Sequence, residues 1–82
     1  MKTRFCRKLK KIRMANKLSQ REVAVKMGYL SSQQYQALEL GKVKPTFKSI
    51  MKIKNALKID PSELIKASCL DLRDEMLEKS SQ

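Results

Sequence analysis

Apolar residues recur every three or four positions along most of the chain, with charged and amide side chains between them. This spacing places the apolar positions on one face of a helix, and it predicts helices rather than strands. The first predicted helix, about residues 3–16, aligns Phe5, Leu9, Ile12 and Ala15 on one face. Four further helices are predicted at about residues 20–27, 32–40 and 47–57 and from residue 61 onward.

Short polar motifs predict where these helices begin. Ser19 and Glu22 fit a capping box, in which the serine accepts from the third backbone amide and the acid bonds back to the first. Ser31 and Gln34 repeat this spacing, which leaves Gln34 either as a cap partner or as an exposed contact residue. The remaining start signals are Thr46 and the pair Asp60-Pro61.

The scarcity of helix breakers supports an all-α fold. Gly28 and Gly41 are the only glycines, and each falls where a helix is predicted to end in a left-handed residue. A chain of 82 residues suffices for one modest core. The sequence therefore predicts a bundle of five helices, with residues 1–67 as the main domain and residues 68–82 as an acidic helical extension or tail.

The segment of residues 68–82 allows more than one interpretation. Leu70, Leu72, Met76 and Leu77 fit a short separate helix or an extension of the fifth. Its end, residues 80–82, is expected to be disordered if the helix frays. Alternatively the segment is an interaction surface for a second subunit.

Charge is distributed unevenly along the chain, whose net charge is +11. Residues 1–59 carry 16 Lys and Arg against only Glu22 and Glu39, whereas residues 60–82 carry three basic residues against six acids. A basic body of this density favours a polyanionic partner. The acidic segment of residues 60–82 is not expected to bind a polyanion.

Several function classes are disfavoured. The chain has no apolar run of 18 residues for a membrane span and no apolar stretch near its start for a signal peptide, so we expect a cytoplasmic, nucleoid-associated protein. Two cysteines, Cys6 and Cys69, without histidine make no zinc site, and we expect free thiols. Without histidine or a glycine-rich phosphate loop, we expect neither an enzyme nor a cofactor.

The second and third helices are short and are joined by a tight turn at Gly28, which is the arrangement of a helix-turn-helix. Leu18-Ser19-Gln20-x-x-Val23-Ala24-x-x-Met27-Gly28 and Leu38-Glu39-x-Gly41-Lys42-x-Lys44-Pro45 resemble the Cro/cI/Xre family of phage-repressor-like domains. The resemblance covers about residues 9–66. It implies a lambda-repressor-like five-helix bundle that binds a two-fold operator in double-stranded DNA as a homodimer. The gap from Gly28 to Glu39 is one residue longer than the commonest family spacing.

Candidate contact residues follow from this arrangement. Ser32, Gln33, Gln36 and Ala37 are expected to project from the start of the third helix and read base edges, because a glutamine amide suits adenine. The resemblance implies that Gln20 binds a phosphate and braces Gln33, the first glutamine of the third helix. It also implies a structural ion pair between Arg13 and Glu39. The residues expected to bind phosphate are Gln20, Arg21, Lys42, Lys44 and Lys48, with a further clamp from Arg4, Arg7, Lys10 and Lys11.

Two functions remain open at this stage. The first is a sequence-specific transcriptional regulator, expected to be a repressor. The second is a DNA-binding antitoxin or accessory subunit whose C-terminal segment binds a protein partner. The candidate dimer surfaces are the region around Lys58, Ile59 and Leu64 and the segment of residues 68–82.

Overall fold

The structure of the protein is a computed structural model that describes residues 3–80. Five helices follow one another in the chain: α1 Arg4–Ala15, α2 Gln20–Lys26, α3 Ser32–Leu40, α4 Phe47–Leu57 and α5 Ser62–Ser80. No strand occurs among the described residues, which confirms the predicted all-α fold. Residues 1–2 and 81–82, at the ends of the two predicted segments, lie outside the described part.

One core holds the five helices together. Phe5 and Leu9 of α1, Tyr35 of α3, Ile53 of α4 and Leu64 of α5 are almost completely buried within it. Helix α1 packs against α3 and α5, and α2 packs against α3 and α4. The predicted face of α1 is correct at its first three positions, since Phe5 and Leu9 are buried and Ile12 packs against the core. The fourth position is wrong, because Ala15, the last residue of α1, is exposed.

Helix α2 packs against α3, and its buried side chains are small or branched. Ala24 is buried and Val23 is fully enclosed by the core. A longer side chain at Ala24 would force the two helices apart, since protein interiors have little spare volume. This close contact fixes the angle at which α3 is presented.

Helices α1, α2 and α3 end in the same backbone arrangement, and α4 ends in a related one. After α2, the amide of Tyr29 donates to the Ala24 carbonyl and that of Gly28 donates to the Val25 carbonyl, which is a Schellman motif. Gly28 has φ +83° and Gly41, which ends α3 in the same way, has φ +79°. The predicted left-handed glycines are therefore confirmed. Helices α1 and α4 end on left-handed lysines instead, Lys17 and Lys58, which the sequence did not predict.

The predicted N-caps are present, with two changes in detail. Ser19 and Glu22 form the reciprocal capping box, and Thr46 caps α4 with Ser49 as its reciprocal partner. Ser31 accepts from the backbone amide of Gln33, and no reciprocal bond to Gln34 forms a capping box in the described structure. Asp60 accepts from the amide and hydroxyl of Ser62, so α5 begins at Ser62 and not at Pro61.

The acidic end of the chain continues the fifth helix. Helix α5 runs without a break through residues 67 and 68, so the described part of the acidic segment continues the fifth helix and forms no separate one. It packs along α1, where the carboxylate of Asp71 accepts from the backbone amides of Arg4 and Phe5, each 3.0 Å away. Cys6 is buried and Cys69 is exposed, and both are free thiols. No helix among the described residues is long and apolar enough to cross a membrane.

Candidate nucleic-acid interface

Helices α2 and α3 form the expected helix-turn-helix, joined by a turn from Met27 to Ser31. The turn is held on the inside by Tyr29, which is half-buried and lies under Lys52, with 4.9 Å from Nζ to the ring centroid. Leu30 lies in this turn and is fully exposed. The longer spacing from Gly28 to Glu39 is compatible with a capped α3, since Ser31 accepts from the amide of Gln33.

The first turns of α3 are polar and accessible. Ser31 caps the helix, Gln33 and Gln34 are exposed, and Ser32 is half-buried. Ala37 is half-buried, while Tyr35 and Leu38 point into the core. No acidic residue occurs in this first turn. The positive end of the helix dipole is thus left open toward an anion or toward acceptor atoms on base edges.

A buried ion pair joins the first helix to the end of α3. The Nε of Arg13 lies 2.9 Å from Oε2 of Glu39, and its Nη2 lies 3.0 Å from Oε1, which is a bidentate contact. The third donor of Arg13, Nη1, bonds the carbonyl of Leu18 at 2.8 Å. Only 3% of Glu39 is exposed. Arg13 therefore ties together α1, the loop before α2 and the C-terminal end of α3.

The electrostatics of this pair keep Glu39 charged. Burial alone would raise the pKa of Glu39, but Arg13, followed by the nearby Tyr35 and then Gln20, outweighs it and lowers the pKa below its ordinary value. Tyr35 is buried beside the pair, and burial followed by the nearby Glu39 carboxylate raises its pKa, so the hydroxyl keeps its proton. That hydroxyl lies outside hydrogen-bonding geometry with every described side chain. The buried acid is consequently neutralised by Arg13 and adds little negative charge to the surface of α3.

Gln20 links this ion pair to the recognition helix. Its Nε2 donates to Oε1 of Glu39 at 3.3 Å, and its Oε1 accepts from Nε2 of Gln36 at 3.1 Å. The expected brace therefore goes to Gln36 and not to Gln33. The reason is helical periodicity, since Gln36 lies one turn before Glu39 and on the same face.

The expected phosphate contacts are distributed around α3. Arg21 near the start of α2, Lys42 and Lys44 after α3, and Lys48 in α4 are all exposed. Lys44 is already engaged, because its Nζ lies 2.8 Å from Oε1 of Glu75 in α5. Of the expected clamp in α1, Arg7, Lys10 and Lys11 are exposed, whereas Arg4 forms an ion pair with Asp74.

Two carboxylates of α5 form hydrogen bonds that the sequence could not predict. Asp71 accepts from the start of α1, and Glu75 accepts from Lys44 in the loop after α3. These bonds depend on how α5 lies against the rest of the domain, and such a long-range placement leaves no periodic signal in the sequence. The bond between Gln20 and Gln36 had a signal, namely the spacing of three residues between Gln36 and Glu39.

Comparison with known proteins supports this interpretation of the motif. A family model described as helix-turn-helix matches residues 9–64, which covers α1 from Leu9 through the start of α5. No curated protein and no solved structure matches the chain.

Proposed function

Because the chain belongs to the Cro/cI/Xre-type helix-turn-helix family, we propose that it binds a two-fold DNA operator as a homodimer and represses transcription. The family consists of DNA-binding transcriptional regulators, so DNA binding and regulation in the general sense come with membership. The operator symmetry, the dimer and the direction of regulation are the proposed part.

The accessible start of α3 is the observation that carries the proposal. A recognition helix must present polar side chains without negative charge, since the groove is bordered by phosphates. Helix α3 meets this requirement, because Gln33 is exposed in its first turn and its one acid, Glu39, is buried against Arg13. The ion pair and the contact at Ala24 hold the helix rigidly, which favours recognition of a fixed sequence.

Base reading is assigned to the exposed and half-buried residues along the start of α3. A glutamine can form two hydrogen bonds with an adenine, and each such pair is worth about 1–3 kcal/mol of discrimination. A small residue or a hydroxyl can contact the methyl group of thymine or a polar edge. The proposed base-reading residues are Ser32, Gln33, Gln36 and Ala37.

Phosphate contacts are assigned to the residues that flank α3 on both sides. Such contacts fix the position of a protein on the duplex and contribute affinity without reading sequence. Exposed lysines follow α3 in the chain and occur in the first turn of α4. The proposed phosphate-binding residues are Gln20, Arg21, Lys42, Lys44 and Lys48.

The dimer is proposed because one recognition helix reads only a half-site, and two half-sites increase both affinity and specificity. Of the candidate surface around Lys58, Ile59 and Leu64, the last residue takes no part, since Leu64 is fully buried in the core. Leu72 in α5 is 54% exposed and remains available for contact.

The second candidate, a DNA-binding antitoxin or accessory subunit, is favoured by the same exposed part of α5. Ile65 and Leu72 lie seven residues apart, on one side of the helix, and both are accessible. A variant with Ile65→Ser and Leu72→Ser removes both exposed apolar side chains of this surface and keeps Asp71 and its bonds to α1. If this variant binds DNA as the wild type does but no longer recruits a protein partner, the second candidate is correct.

Selection of bound sequences from a random duplex DNA pool tests the first candidate. We expect a palindromic motif with half-sites about one helical turn apart. Tight, salt-sensitive binding without any motif would contradict the proposal, because it would show a protein that contacts phosphates only.

A further inference from the structure

Four side chains form a continuous line of hydrogen bonds from α1 to the recognition helix. Arg13 donates twice to Glu39, Gln20 donates to Glu39, and Gln36 donates to Gln20. The line begins on the buried ion pair and ends on a half-buried glutamine that is assigned to base reading. It thus connects a structural feature of the domain to its proposed DNA contact.

The direction of these bonds follows from the chemistry of the buried acid. An ionised carboxylate only accepts hydrogen bonds, so Gln20 must turn its amino group toward Glu39. The carbonyl oxygen of Gln20 then faces Gln36, and Gln36 must present its own amino group to it. Because the oxygen and nitrogen of an amide lie on opposite sides of the group, the oxygen of Gln36 faces away from Gln20.

A glutamine on a protein surface ordinarily rotates its amide freely and can present either atom to a base. Here the alternative orientation of Gln36 would bring its oxygen against the oxygen of Gln20, and two acceptors repel. The amide of Gln36 is therefore preset before any DNA is bound, at no conformational cost on binding.

We propose that Glu39, acting through Gln20, sets the donor and acceptor polarity of Gln36 and so restricts which base Gln36 selects. This inference rests on the proposed operator binding. An outward oxygen accepts from the exocyclic amino groups of adenine and cytosine, and it repels the O6 of guanine and the O4 of thymine. Gln36 then selects adenine or cytosine at one position of each half-site, and Gln20 is the positioning residue.

The experiment measures the affinity of the full chain for operators that carry each of the four bases at each position. Gln36→Leu identifies the operator position that Gln36 reads, since the preference among the four bases is lost at that position in this variant. In the wild type, we expect adenine or cytosine to be preferred at that position. Gln20→Met keeps the aliphatic stem but forms no amide bond, and we expect it to reduce the preference by about tenfold, to near equality among bases.

A second variant keeps the inference testable if Gln20→Met is poorly folded. Gln36→Glu loses the bond to Gln20 but presents only acceptor atoms to the base, so it shows the preference that an outward acceptor produces, with lower affinity for every operator. The wild type should share its preference for adenine or cytosine at this position, and a different wild-type preference would contradict the inference. Gln33→Ala is the matched control, because Gln33 is exposed on the same helix and outside the line of bonds. It should leave the preference at the Gln36 position unchanged.

Two results would overturn the inference while leaving operator binding intact. One is a preference for guanine or thymine at the Gln36 position. The other is a Gln20→Met protein that binds all operators more weakly but with unchanged ratios among the four bases. If the wild type selects no motif, the proposed operator binding fails, and this inference fails with it.

Discussion

The carboxylate of Asp71, near the middle of the last helix, caps the first helix at Arg4. Oδ1 of Asp71 lies 3.0 Å from the backbone nitrogen of Arg4, and Oδ2 lies 3.0 Å from that of Phe5. Thr3 accepts from the third amide, that of Cys6. The free amides at the start of α1 are thus satisfied from two separate parts of the chain, and the negative carboxylate lies at the positive end of the helix.

Asp71→Ala is expected to lower the free energy of unfolding by about 1 kcal/mol, which is the usual cost of losing a cap. Urea unfolding followed by circular dichroism measures this change. Asp74→Ala is the matched control, since it removes a solvent-screened pair with Arg4 from the same helix and should cost clearly less stability than Asp71→Ala. Equal effects of the two substitutions would show that the carboxylate of Asp71 acts as a surface charge and not as a cap.

The role of Asp71 explains which parts of this fold the sequence could predict. Helix bounds were predictable because Ser19, Thr46 and Gly41 act locally, through hydrogen bonds to residues close in sequence. The placement of the acidic end was not predictable. Leu70 and Leu72 fit either alternative for α5, and the choice depends on contacts with a helix whose bonded residues lie 66 and 67 positions away in the chain.

The same distinction holds for the candidate interface. The accessible face of α3 and the cations around it followed from spacing and from resemblance to a family. The partner of Gln20 was predicted wrongly, because the resemblance implies a brace to Gln33 and the spacing of three residues between Gln36 and Glu39 was not used. The geometry favours Gln36 since only this glutamine shares a face with Glu39, to which Gln20 is also bonded.

Acidification is expected to destabilise the fold through Glu39. Its pKa is lowered in the folded state, so ionised Glu39 contributes stability above its unfolded pKa of about 4.3. That contribution is lost as the pH falls below this value and through the lower folded pKa. Urea midpoints measured at pH 7 and at pH 3 should therefore differ more for the wild type than for Glu39→Gln.

The Glu39→Gln protein should also be less stable than the wild type at pH 7, by about 3–5 kcal/mol, because Arg13 loses a buried partner. The stability of this variant should depend less on pH than that of the wild type, since the Glu39 carboxyl group that titrates is absent. A variant with the full acid sensitivity of the wild type would assign that sensitivity to other carboxylates, such as Asp74, whose pKa is lowered first by the hydrogen bond from Arg4.

Lys58→Gly is expected to stabilise the protein by about 0.5 kcal/mol. Lys58 ends α4 with φ +53°, a left-handed conformation that costs a residue with a side chain about 1–2 kcal/mol. Glycine removes that cost but adds entropy to the unfolded chain, which offsets part of the gain. Thermal unfolding measures the difference.

Lys54→Gly provides the matched control for this substitution. Lys54 is also an exposed lysine of the same region but lies inside α4, where glycine is unfavourable by about 0.5–1 kcal/mol. A gain of stability in Lys58→Gly and a loss in Lys54→Gly would be explained by the backbone conformation at the two positions. A loss of stability at both positions would show that the charge or the stem of Lys58 contributes more than its strained backbone costs.

The contact between Lys44 and Glu75 is expected to compete with DNA. Lys44 is assigned to a phosphate, yet its ammonium group lies 2.8 Å from the carboxylate of Glu75. Lys44→Ala should weaken binding to every sequence about equally and lower the magnitude of the slope of log affinity against log salt by about 1.

Glu75→Gln should strengthen DNA binding at low salt, because Lys44 no longer has to leave the Glu75 carboxylate to contact a phosphate. The gain in affinity should shrink as salt screens the pair. Fluorescence anisotropy over a series of salt concentrations measures both effects, with Lys54→Ala as a control for the loss of one positive charge. If Glu75→Gln and the wild type bind DNA equally at low salt, the pair does not limit access to Lys44, and phosphate displaces Glu75 without measurable cost.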